Sequence, residues 1–196
     1  MKKIKEYKGY WSFAVFTSIV GLIVGIFSVI SDHLPYVGEE MTVFEFFISY
    51  LAVMINSLPM WFILAMLVGY LFGRNIKQAI LFGAIYTITA ITFYFVIGHF
   101  YTDVPVPVSF SEQAVTYMIW YGASAVGGSL GGGIGYLFKI NPYALLILLA
   151  GLIFQLFLYG TRSWFNIVGA AQNVTFCLII VSIVIYLHLS RKRKVE

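Results

Sequence analysis

Six stretches of this chain, at about 11–30, 43–72, 78–98, 114–138, 143–159 and 165–189, are apolar on every side and end at polar clusters. A hydrocarbon core ~30 Å thick takes about 20 helical residues to cross. Apolar runs of this length predict an all-α membrane protein with six transmembrane helices in one domain over 11–189, flanked by basic tails at 1–10 and 190–196. A β-barrel is not expected, because barrel strands alternate in hydrophobicity. Composition agrees: 61% of residues are hydrophobic and 10% charged, against roughly 45–50% and about 25% in soluble domains. The opening MKKIKEYK has the outline of a secretion signal. However, residues 11–30 are longer than a signal core and end in SVISDH without a small-x-small site, so they are read as a retained span.

Lysine and arginine set the direction, since short cytoplasmic loops retain them. With both termini inside, Lys2, Lys3, Lys5, Lys8, Arg74, Lys77, Lys139, Arg191, Lys192, Arg193 and Lys194 are cytoplasmic, and of the 12 cations only Arg162 lies outside. Asp32, Glu39, Glu40, Asp103 and Glu112 fall in the outer loops. The net charge of +4 follows from this topology and from attraction to an anionic inner leaflet, and it calls for no nucleic acid. The outer segments SDHLPYVGEEMT and GHFYTDVPVPVSFSEQ are longer and more polar than the inner turns GRNIKQ and KINPY. The lone Cys177 has no partner for an intramolecular disulfide.

The stretch GASAVGGSLGGGIGY, 122–136, is not a phosphate loop, for no lysine follows its glycines until Lys139 and G-x-G-x-x-G fails in every register. As a helix it sets Ser124, Gly128 and Gly132 on one ridge, with Gly127, Gly131 and Gly135 on the next. Such small-xxx-small ladders let neighbouring backbones approach in lipid, where helices associate by close packing. Gly21 and Gly25 form a shorter ladder in span 1, a partner for the first or an intermolecular contact.

The second segment carries NSLPM in its middle, and Pro59 clashes with the carbonyl of Ile55 in a continuous helix. A long second helix kinked near Pro59 is expected, in which 44–55 either continues at a tilt or lies at the interface. Polar side chains in spans are costly and so face the bundle interior or a cavity. Gly151, Gln155 and Tyr159 recur at spacing four, with Arg162 on the same face. Asn166, Ala170, Asn173 and Cys177 share a stripe of the last span, and Thr87 and Tyr94 one of the third. Two readings stand for this set. It forms interhelical hydrogen bonds, or Gln155, Tyr159, Arg162, Trp164, Asn166 and Asn173 line an outward-facing pocket. In the second reading Trp120, His99 and Asp103 lie nearby, and Arg162 is the group that would hold a small anionic solute through its paired N–H donors.

Catalytic signatures are missing from the sequence. Ser124 reads GASA rather than Gly-x-Ser-Gly, three histidines are scattered over both faces, and there is no H-E-x-x-H or cysteine pair. The chain is therefore expected to be no enzyme and to need no metal or cofactor.

The stretches GLIVGIFSVISDHLP, MWFILAMLVGYLFGRNIKQAILFGAIYTI, YMIWYGASAVGGSLGGGIGYLFK and LLILLAGLIFQLFL together resemble a family of small bacterial membrane proteins known only as a domain of unknown function. That resemblance implies a multi-pass protein of the bacterial cytoplasmic membrane. More distantly, six spans with both ends inside look like the S components of energy-coupling-factor vitamin transporters. Those capture a small solute at the outer face and dock through small residues of the first helix. Ala14, Ser18, Gly21 and Gly25 would be that surface here, although the A-x-x-x-A form is absent. The first functional expectation is thus a small-solute-binding component of a transport system. The second is a non-catalytic accessory, assembly or immunity-type subunit that packs against other membrane proteins such as an ABC permease. Expected partners are the lipid bilayer, transport subunits or a second copy.

Overall fold

The computed structural model of the chain describes residues 2–34, 41–101 and 110–192. Among these, seven α-helices and two short 3₁₀ turns account for the architecture, with no strand. The helices are α1 (Lys2–Asp32), α2 (Val43–Ile55), α3 (Leu58–Phe72), α4 (Ile76–Tyr101), α5 (Phe110–Ile140), α6 (Leu145–Tyr159) and α7 (Ile167–Lys192).

Four stretches are long and apolar enough to cross a membrane, Gly9–Asp32, Ile76–Tyr101, Pro142–Tyr159 and Ile167–Arg191, and the pair α2–α3 taken as one span makes five. The 31-residue α5 is not among them, because its glycines add length without adding apolar surface. Large side chains lie bare on the outside, among them Trp11, Phe100, Phe157 and Phe165, the last 86% exposed. Water would penalise that surface, and lipid does not. It is the exterior that a membrane-embedded protein presents.

The second apolar segment is not one kinked helix. It breaks at Asn56 and Ser57, and the two pieces meet at 64°. Ser57 is extended at φ −78°, ψ 144° and caps α3, its Oγ accepting from the Met60 amide at 3.4 Å and donating to the Met54 carbonyl at 2.6 Å. Pro59 consequently falls in the first turn of a new helix, where its missing N–H costs nothing. At the other end of α2, Thr42 and Glu45 form a capping box, with the Thr42 amide 2.8 Å from Glu45 Oε2 and the Glu45 amide 3.3 Å from Thr42 Oγ1.

Helix α5 is wedged between α3 and α4. On one ridge it meets α4 antiparallel, each helix stepping by four: the Ser124 carbonyl accepts from Thr87 Oγ1 at 2.6 Å, Gly128 sits on Gly83, and Gly132 sits on Ala79. A Cβ on Gly128 would strike Thr87 Oγ1, and one on Gly132 the Ala79 carbonyl oxygen. Its second ridge meets α3, where Gly135 faces the Met66 carbonyl and Gly131 lies against Ala65. The glycine ladder of α5 therefore packs on α3 and α4, not on the ladder of α1. Gly21 and Gly25 instead pack on Ala90, Phe93 and Tyr94 of α4.

Two apolar clusters fill the interior. One joins Phe13 of α1 to Ala65, Val68, Phe82 and Tyr86, with the Phe13 and Phe82 rings stacked at 4.0 Å. The other joins Met54 and Met66 to Ile134, Leu148, Leu152, Phe176, Ile183 and Leu187. One end of the bundle gathers Asp32, the α2–α3 break and Tyr94; the other gathers Tyr10, the α3–α4 turn and Lys139.

Candidate functional site

Where α5 runs past α6 their contact is slight, and a cavity of ≈ 660 Å³ opens between α3, α4, α5 and α6. Small residues make the space: Ala123, Gly127 and Gly128 from α5 and Gly151 from α6 line it, and a Cβ on Gly127 or Gly151 would meet nothing within 4 Å. Trp61, Phe62, Trp120 and Phe154 give it aromatic walls.

Its polar groups are few and of two kinds. Asp32, at the end of α1, accepts from Asn56 Nδ2 at 3.1 Å and from the Tyr94 hydroxyl at 2.6 Å, and all three residues line the cavity. These two donors fix the carboxylate while leaving it accessible, since Asp32 itself is exposed. Gln155 is different. It is only 6% exposed and lines the same space, and among the described residues no group hydrogen-bonds its side-chain amide. Its amide is not enclosed but opens onto the cavity, where it is placed to meet a polar group.

The other residues singled out by sequence lie elsewhere. Asn173 is fully buried, but its Nδ2 donates to Ser163 Oγ at 2.7 Å, and Ser163 Oγ in turn donates to the Gly160 carbonyl at 3.0 Å. Asn166 caps α7, its Oδ1 accepting from the Gly169 amide at 2.6 Å. Both asparagines hold the turn between α6 and α7, where Gly160 takes φ 55°, a backbone region that glycine enters without strain. Tyr159, Arg162 and Trp164 are exposed on that turn, and none of the three lines the cavity. Thus Gln155 alone of the six sits in it. His99 is exposed outside it, and Asp103 lies outside the described residues.

Thr87, Tyr94 and Trp120, noted in the sequence as neighbours of a pocket, do line it. Asp32 and Asn56 were missed as site residues. The signal available for them was weak: an acid at the end of one apolar run and an amide at the break of the next. Among the described residues no group of three His, Cys, Asp or Glu side chains gathers as a metal site would. Comparison with protein-family models, with curated proteins and with solved structures finds no match to this chain.

Proposed function

We propose that the chain is a six-span protein of the bacterial cytoplasmic membrane, with both termini inside, that binds a small solute in the cavity between α3 and α6 as one component of a transport system. The observation that carries this reading is Gln155, a largely buried residue whose amide opens onto the cavity without a partner among the described residues. The six spans rest on the helices plus the length of α5, and the direction on eleven of the 12 cations falling on one side. A likeness to the S components of vitamin transporters agrees with a site near one bundle end and with a dedicated binding role. Docking through the first helix would rest on Ala14 and Ser18, which are exposed, because Gly21 and Gly25 are buried against α4.

The lining selects a solute. Aromatic walls take an apolar body, Gln155 takes one hydrogen-bonding group, and the carboxylate on the cavity is that of Asp32. This favours a neutral or cationic solute over the anion that Arg162 suggested, since an ammonium gains both from a carboxylate and from indole faces such as those of Trp61 and Trp120. The accessory-subunit reading draws no such support, because Gly128, Gly131, Gly132 and Gly135 are covered by α3 and α4 and Gly127 lines the cavity.

The test is a thermal-shift screen of the detergent-solubilised chain against pairs of aromatic compounds that share a ring and differ in bearing an amine, an amide or a carboxylate. A ligand at a hundredfold excess over its Kd adds about 2.7 kcal/mol of apparent stability. Amine or amide members should raise Tm, and Asp32→Asn should erase the preference for the amine. A screen without hits, or hits indifferent to Asp32 and Gln155, refutes a solute site here.

A further inference from the structure

A second cavity, of ≈ 460 Å³, lies at the opposite end of the bundle between α1, the α3–α4 turn and the end of α5. Two cations from different elements line it, Arg74 from the turn and Lys139 from α5, and none of its described lining residues is acidic. The Lys139 ammonium donates to the Gly73 carbonyl, the C-cap of α3, at 2.8 Å, and stands 5.6 Å from the Tyr70 ring and 5.9 Å from that of Tyr136. One of its three N–H groups is thereby used, and the aromatic rings steer the rest of the head. Lys139 lies just past the apolar stretch 114–138, and partial burial lowers its pKa from the ordinary lysine value, a shift that a bound anion would reverse.

On the other side, the Arg74 guanidinium lies 5.9 Å above the Tyr10 ring. Its backbone amide donates to Gln78 Oε1 at 3.1 Å, and Gln78 Nε2 donates to the Tyr10 hydroxyl at 3.4 Å. Gln78 also brings the first turn of α4 to the cavity. The Gln78 amide is itself capped by Asn75 Oδ1 at 2.9 Å, and the C-terminal ends of α3 and α5 meet at the same cavity, so its positive charge comes from the two side chains. The rim is apolar, with Leu71 51% and Ile140 68% exposed where acyl chains would lie.

From these features we propose that this cavity is a phosphate-binding site, shaped for the head group of an anionic phospholipid whose chains run along Leu71 and Ile140. Lys139 offers a point charge with N–H groups beyond the one on the Gly73 carbonyl, and Arg74 sets a second positive charge on the same cavity. In the proposed topology this end faces the cytoplasm, where anionic lipids and basic pockets between helices meet. The inference stands independently of the solute cavity.

The full chain in dodecyl maltoside is titrated with phosphatidylglycerol, with phosphatidylcholine of the same acyl chains, and with inorganic phosphate, while Tm and bound lipid by native mass spectrometry are followed. Phosphatidylglycerol should raise Tm and leave one retained lipid, and phosphatidylcholine should do neither. Lys139→Gln and Arg74→Gln should each lose most of the shift, Lys139→Arg should keep it, and Lys77→Gln, outside the cavity, should behave as wild type. An equal shift from inorganic phosphate would assign the same site to a soluble phosphate. Stabilisation by phosphatidylcholine equal to that by phosphatidylglycerol, or a full shift in Lys139→Gln, overturns the proposal. If Arg74→Gln does not fold, the Lys139→Gln and Lys139→Arg pair decides.

Discussion

Gln155 separates a structural from a binding role by the sign of one substitution. If its amide bonded a neighbouring helix, Gln155→Leu would orphan that partner and cost about 1–3 kcal/mol. With no partner among the described residues and an amide that opens onto the cavity, the same change orphans no protein group. Gln155→Leu should therefore leave the Tm of the unliganded protein unchanged or higher, while abolishing the shift produced by any cavity ligand. A drop of several degrees in the unliganded variant would show that the amide is structural. At this scale the sequence was partly legible. Gln155 stands out because an amide in an apolar run must face something, but so do Asn166 and Asn173, and spacing cannot tell an amide that caps a helix or pins a turn from one that faces open space. Their distinction rests on where α6 ends, and that is set by the backbone at Gly160.

Among the elements, α5 is the one whose composition and position explain each other. Its glycines are not equivalent. A Cβ on Gly132 meets the Ala79 carbonyl oxygen, which no rotamer change can move aside, whereas one on Gly127 meets nothing within 4 Å. Gly132→Ala should lower Tm markedly, and Gly127→Ala should be neutral or stabilising, because replacing glycine within a helix recovers roughly 0.5–1 kcal/mol of backbone entropy. Equal Tm values for the two variants would contradict the wedged packing of α5. The ladder was legible as a ladder, but not its partner. The complementary row, Ala79, Gly83 and Thr87 at spacing four on α4, is small residues among larger ones and is easily passed over beside the glycine-rich stretch. The break before Pro59 was legible too. That it ends one helix and starts another depends on Ser57 turning extended and capping α3, a choice that proline alone does not dictate.

Over the whole molecule, the charge asymmetry, the packing and the two cavities describe one arrangement: Arg74, Lys139 and the proposed phosphate site at one end of the bundle, and an aromatic cavity with a carboxylate toward the other. The apolar runs made the helices readable from sequence. The cavity was not, because it arises where α5 and α6 separate, a property of two helices together and of neither alone. The most direct test of the solute cavity is the reactivity of Ala123→Cys, on a lining residue, toward a small membrane-impermeant thiol reagent on whole cells, with Cys177 replaced by alanine. Tyr36→Cys and Ile76→Cys serve as outer and inner markers. A cysteine in a water-filled cavity forms thiolate and reacts, while one facing lipid does not. Ala123→Cys and Tyr36→Cys should label from outside, Ile76→Cys should not, and a stabilising ligand should slow labelling at 123 alone. Labelling at 76, or an Ala123→Cys that is inert from outside or indifferent to ligand, would contradict the account.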